Sequence, residues 1–123
     1  MKIKNRLYGD VLVLSPEGRI DHANSEDFRS EVGPFIDRCK KHGERVVLDL
    51  TAVDYISSAG LRCFMLAEKQ AHAQGGTIVV AAMQPVVHEI FEISRFTLVF
   101  ETFATVGDAI ARLSPESFNA YQT

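Results

Sequence analysis

Val11-Leu12-Val13-Leu14, Arg45-Val46-Val47-Leu48-Asp49-Leu50 and Thr77-Ile78-Val79-Val80-Ala81-Ala82 are apolar almost throughout. Short runs of this kind suit strands covered on both faces. Ahead of them, Ile3, Asn5 and Leu7 alternate with cations up to Gly9-Asp10, a tight-turn signal, so the first two strands are expected to pair as a hairpin. Between the runs, apolar residues fall at helical spacing. Phe28, Val32, Phe35, Ile36 and Cys39 follow Asn24, an N-cap candidate with Glu26 and Asp27 in the first turn. Gly33-Pro34 predicts a kink or break in that helix, which ends near Lys40-Lys41-His42-Gly43. A second helix, capped by Ser57 or Ser58, runs to Gln74 and stops at Gly75-Gly76. Pro85 opens a third, carrying Val86, Val87, Ile90, Phe91 and Ile93. Leu98-Val99-Phe100 reads as a brief strand, and Thr105 with Asp108 as a capping box before Ala109, Ile110 and Leu113. The expectation is an α/β domain over residues 1–113, with an opening hairpin and a mixed sheet of about five strands and about four helices. Residues 114–123 are expected to be a loose tail.

Charge and composition narrow the function. The chain has 123 residues, 46% hydrophobic and 24% charged, and a net charge of −3. That balance disfavours nucleic acid as a partner, because phosphate binding needs clustered excess cation. No apolar run approaches the ~20 residues of a membrane span, so direct insertion is not expected. Cys39 and Cys63 form no disulfide framework or zinc site and are expected to stay unbridged as small buried residues in a reduced, cytoplasmic setting. His22, His42, His72 and His88 show no ligand spacing. A serine hydrolase is disfavoured too. No G-x-S-x-G elbow surrounds Ser58, and His72 lies almost four turns along the same helix. Neither a cofactor nor a catalytic group is expected.

The most specific segment is Leu48-Asp49-Leu50-Thr51-Ala52-Val53-Asp54-Tyr55-Ile56-Ser57-Ser58-Ala59-Gly60-Leu61-Arg62. It combines a buried strand, a short acidic loop and a serine pair at a helix N-terminus. Such a terminus offers unpaired N–H groups and a positive dipole end, so a phosphate on an accessible serine would be tolerated there. Serine is also a common N-cap, and both serines can be read as caps alone. On a wheel of ~100° per residue, Gly60, Cys63, Phe64, Ala67 and Ala71 form the sheet-facing stripe. Leu61 and Met65 fall on another side, where they either pack on a neighbouring helix or wait for a partner, the partner being the favoured expectation.

Ile56-Ser57-Ser58-Ala59-Gly60-Leu61 resembles the signature of the STAS domain, shared by anti-sigma factor antagonists and the cytoplasmic ends of sulfate transporters. Gly18-Arg19-Ile20-Asp21, Gly75-Gly76-Thr77-Ile78-Val79 and Pro85-Val86-Val87-His88-Glu89-Ile90-Phe91 extend the resemblance over most of the chain. The resemblance implies a binding module and not an enzyme. Its partner would be an anti-sigma factor of the histidine-kinase-like ATPase serine kinase type, bound by the unphosphorylated form. Phosphorylation of the serine at Ser58 would switch binding off, and a PP2C-type phosphatase would restore it. Ser57 stands where many members have aspartate, which removes a charge and makes it an alternative acceptor. Asp21, Asp54, Ser57, Ser58, Gly60, Leu61, Arg62 and Met65 would form the partner-binding set. Asp21 reads equally as a turn residue and as part of an acidic surround of Ser58, while Asp54 reads better as a turn residue. The alternative role within the same fold is a constitutive subunit docking on the ATPase of an ABC-type lipid-transport complex without phosphorylation. Nucleotide binding is disfavoured by the absence of a Gly-rich phosphate loop.

Overall fold

The computed structural model describes residues 1–123. Strands β1 (Lys4–Tyr8) and β2 (Val11–Ser15) pair as the expected antiparallel hairpin. Strands β4 (Arg45–Asp49), β6 (Ile78–Ala81) and β7 (Thr102–Phe103) then add in parallel, giving the order β1-β2-β4-β6-β7. Two more strands, β3 (Gly18–Ile20) and β5 (Val53–Ile56), form a separate parallel ribbon where a loop was expected. The apolar runs behave as their period demands. Leu12, Leu14, Val46, Leu48, Ile78 and Val80 face one core, whereas Val11, Val13, Val47, Val79 and Ala81 face the other.

Helices α1 (Ser25–Asp37), α2 (Ser58–Ala73) and α3 (Pro85–Ile93) cover the first face. Phe64 of α2 organises that core: it stacks on Phe28 at 5.3 Å and meets Phe91 edge-on at 6.0 Å and Phe100 at 6.3 Å. The helix is not broken at Gly33-Pro34: α1 continues through Pro34 to Asp37. The clash that normally bars the helical conformation before proline involves the preceding Cβ, and Gly33 has none. Helix α1 does end sooner than expected, at Asp37. Cys39 lies beyond it, fully buried, with its thiol donating to the Thr77 carbonyl at 3.3 Å.

The expected strand at Leu98-Val99-Phe100 is a 3-10 turn over Phe96–Leu98 instead. Arg95 adopts φ +60° and redirects the chain. Phe96 and Phe100 then point inward at helical spacing, with Phe100 N–H donating to the Phe96 carbonyl, and Leu98 is left 79% exposed.

The second face is covered by α4 (Val106–Leu113) and α5 (Pro115–Gln122). Thr105 caps α4 by accepting from Asp108 N–H at 3.0 Å. Helix α5 replaces the expected loose tail. Ser114 caps it by accepting from Ser117 N–H at 3.2 Å, and Pro115 takes the first helical position. The buried Ser117 hydroxyl donates to Asp10 at 3.0 Å, and Asp10 also pairs with Arg45. Arg45 donates in turn to the Leu113 carbonyl. Gly9, with φ +60°, permits this approach: a Cβ there would sit 2.6 Å from the Ser117 hydroxyl. Tyr121 closes the contact edge-on against Tyr8 at 5.1 Å.

Candidate functional site

The β3–β5 ribbon builds the site. Ile20 pairs with Ile56, so the residues that leave the two strands emerge side by side: Asp21 after β3 and Ser57 after β5. Ser57 N–H donates to the Ile20 carbonyl at 2.9 Å, fixing the start of α2 to the end of β3. Ser57 is the N-cap: its hydroxyl accepts from Gly60 N–H at 3.2 Å. Gly60 is required because α2 passes so near the ribbon that a Cβ would lie 2.6 Å from the Ile20 carbonyl oxygen.

The two serines therefore divide the work. Ser57 is committed to the helix end. Ser58, in the first helical turn, is exposed and its hydroxyl makes no hydrogen bond within the protein. Arg62, one turn further along, is exposed and in no ion pair. Of the two roles left open for Asp21, the turn role is the one seen: it follows β3 beside the start of α2, and its carboxylate accepts from Ala23 N–H at 3.0 Å and from Arg19 at 3.3 Å. Desolvation pushes the Asp21 carboxyl up, but the Arg19 and backbone hydrogen bonds outweigh it and hold it below the usual carboxylate value. Asn24 ties off the same turn. It accepts from Asp21 N–H at 2.8 Å and donates to the Arg19 carbonyl at 2.7 Å, instead of capping α1.

Asp54 lies within β5 and is exposed, so it is a strand residue and not a turn residue. Leu61 departs from its expected exposure. It is only 9% exposed and joins the phenylalanine core, so α2 buries more of its circumference than the expected stripe. Met65 is partly buried against the same core. Cys63, expected on the inward stripe, is only half-buried. Sequence reasoning missed the Arg19–Tyr55 pair, in which the guanidinium stands 4.4 Å from the ring centroid beside the site. The sequence held no local signal for it, because only the pairing of β3 with β5 places Arg19 opposite Tyr55.

The site has a free hydroxyl at a helix N-terminus, a rigid acidic turn and unpaired cation nearby, which equips it to present a serine and to accept or lose charge. Comparison with known proteins agrees with this architecture. BtrV of Bordetella bronchiseptica, named for an anti-sigma factor antagonist role, is 38% identical over 100 residues, 81% of this chain and 84% of BtrV. The structure of an anti-sigma factor antagonist from Mycobacterium paratuberculosis superposes with a TM-score of 0.80 at 20% identity, covering 90% of this chain and 92% of that one. SpoIIAA in its unphosphorylated form gives a TM-score of 0.72 at 18% identity, covering 91% and 96%. The phosphorylated form gives 0.67 at 16%, covering 92% and 100%. The STAS domain model matches residues 2–109, and the chain belongs to the STAS domain family.

Proposed function

We propose that this protein is an anti-sigma factor antagonist in which the charge state of Ser58 controls docking. The partner is a serine-kinase-type anti-sigma factor with a histidine-kinase-like ATPase domain. It binds the unmodified protein in the cytoplasm and phosphorylates Ser58, and a PP2C-type phosphatase reverses the modification. The protein itself performs no catalysis. One observation carries the reading: of two adjacent serines, only Ser58 has a hydroxyl that is both exposed and unbonded. A partner can approach it without breaking the helix cap. The antagonist names of related proteins and the existence of SpoIIAA in both phosphorylation states support the same assignment.

The physics favours a switch in binding over a switch in fold. A phosphoserine adds about −1.5 to −2 charges. At an exposed helix N-terminus the dipole favours such charge by roughly 0.3–1 kcal/mol, and Arg62 at the i+4 position can pair with it. Under a docked partner the same charge must lose water, at a cost of several kcal/mol if unpaired. A loss of ~3 kcal/mol weakens a complex more than a hundredfold. The test titrates the purified anti-sigma kinases of the protein's own genome against the parent, Ser58→Ala, Ser58→Asp and Ser57→Ala. Ser58→Ala binds but resists phosphorylation, Ser58→Asp folds normally and binds more than a hundredfold weaker, and Ser57→Ala is still phosphorylated. Equal affinity of Ser58→Asp and the parent refutes the switch.

A further inference from the structure

Helices α1 and α2 lie side by side and run in the same direction: Cys63 donates to the Ser25 carbonyl at 3.5 Å, and Gln70 donates to Asp37 at 2.7 Å. Between them is an open groove of about 310 Å³. Val32, Ile36, Cys63, Leu66 and Ala67 make it mostly apolar. The Gln70–Asp37 hydrogen bond closes its far end, and its near end starts at Cys63, about 7 Å along α2 from Ser58. Arg29 lines that near end, and Arg62 flanks it. Both are close enough to Cys63 to favour its thiolate, and neither has an ion-pair partner. Glu26 also acts on the Cys63 thiol, in the opposite sense to the two arginines.

We infer that this groove is the second half of the Ser58 docking surface and receives an amphipathic helix of the anti-sigma partner, with one or two apolar side chains and a flanking carboxylate. The inference rests on the proposed function and adds to it the chemistry of the partner's contact. Three features select this occupant. Ser58, Arg62 and Leu66 follow one another on α2 at i, i+4 spacing, so one ridge leads from the serine to the groove lining. The groove spans about two helical turns from Cys63 to Gln70, which matches an i, i+7 pair of anchors from a docking helix. Two unpaired arginines at the near end call for acid on the partner. The groove lies open along its length, which suits a partner's helix better than a small molecule that must be enclosed.

Cys63 supplies a direct probe, since it lines the groove while Cys39 is fully buried elsewhere. Burial pushes both thiols up, so labelling is slow and its rate measurable. The experiment measures alkylation at each cysteine by mass spectrometry, with and without saturating purified anti-sigma kinase. Cys63 labelling is expected to fall at least about fivefold in the complex, and to stay at the free rate when Ser58→Asp replaces the parent. Ala67→Leu, which fills the groove, and Arg29→Glu, which reverses its charge, each weaken binding about tenfold with an unchanged thermal midpoint. Unchanged Cys63 labelling in a complex that Ser58→Asp abolishes overturns the groove while leaving the switch standing. Parent-like affinity of Arg29→Glu overturns the acidic chemistry assigned to the partner. Protection of Cys63 in a dimer of the protein alone overturns the choice of occupant. Failure of the parent to bind any of the kinases removes the proposed function and the inference together.

Discussion

Gly60→Ala sets two opposing forces against each other at the site. Helix propensity alone favours alanine over an interior glycine by about 0.8–1.0 kcal/mol. Packing opposes it, because the new methyl would lie 2.6 Å from the Ile20 carbonyl oxygen, 2.9 Å from Ile56 Cγ2 and 3.0 Å from Ile20 Cγ2. Relief needs a separation of roughly half an ångström between α2 and β3. The Ser57 N–H bond to that same carbonyl, at 2.9 Å, resists the movement. Overpacking of this kind costs about 1–3 kcal/mol. The net expectation is a loss of about 1 kcal/mol, seen as a lower urea midpoint with an unchanged slope and a thermal midpoint lower by about 3–5 °C. Amide shifts should concentrate at Ile20 and Ser57–Leu61, and docking should weaken although both serines are intact. A urea midpoint at or above that of the parent would refute the close-approach argument and leave propensity as the governing term.

Asp10→Ala strands the buried Ser117 hydroxyl and should cost about 1–2 kcal/mol, with amide exchange rising first in α5. Burial raises the Asp10 carboxyl, but the Arg45 and Ser117 hydrogen bonds outweigh it and hold it below its ordinary value. Its stabilisation is therefore full above the unfolded carboxylate pKa and fades as pH falls through the lower folded one, an acid step that Asp10→Ala lacks in pH-dependent unfolding. Ser57→Ala removes the α2 cap and should cost about 1 kcal/mol in urea unfolding. Native thiol titration should show one slow cysteine, Cys63, with Cys39 appearing only on denaturation; two fast thiols would contradict the burial described.

Legibility followed the range of the forces involved. Strands β2, β4 and β6 were readable because burial on both faces demands unbroken apolar runs, and Ser57 and Pro85 marked helix starts through local chemistry. The β3–β5 ribbon was not, since Gly18–Ile20 is three residues long and Asp54 interrupts β5; only their mutual pairing makes them strands. Leu61 was misplaced because a helical wheel gives an angle without saying what stands there, and the phenylalanine core extends to that side. Helix α5 carried a readable start in Ser114-Pro115-Glu116-Ser117, but its stability comes from Asp10 and Tyr8, more than a hundred residues away. Val86 and Ile93 show the converse error of pattern reading, being helical and apolar yet 55% and 75% exposed.

The ribbon of β3 and β5 forms its own hydrogen-bonded ladder, distinct from the five-stranded sheet. This separates the inheritance of the scaffold from that of the recognition end. Residues around Asp21 and Ser58 can be exchanged without shifting the register of β2, β4 and β6, so a duplicated copy can acquire a new partner while its two cores stay as they are. Under the proposed function, insulation between parallel pathways can then arise from changes at one end of a shared STAS frame. Gly60 and the Ile20 carbonyl are the fixed points around which that variation must work.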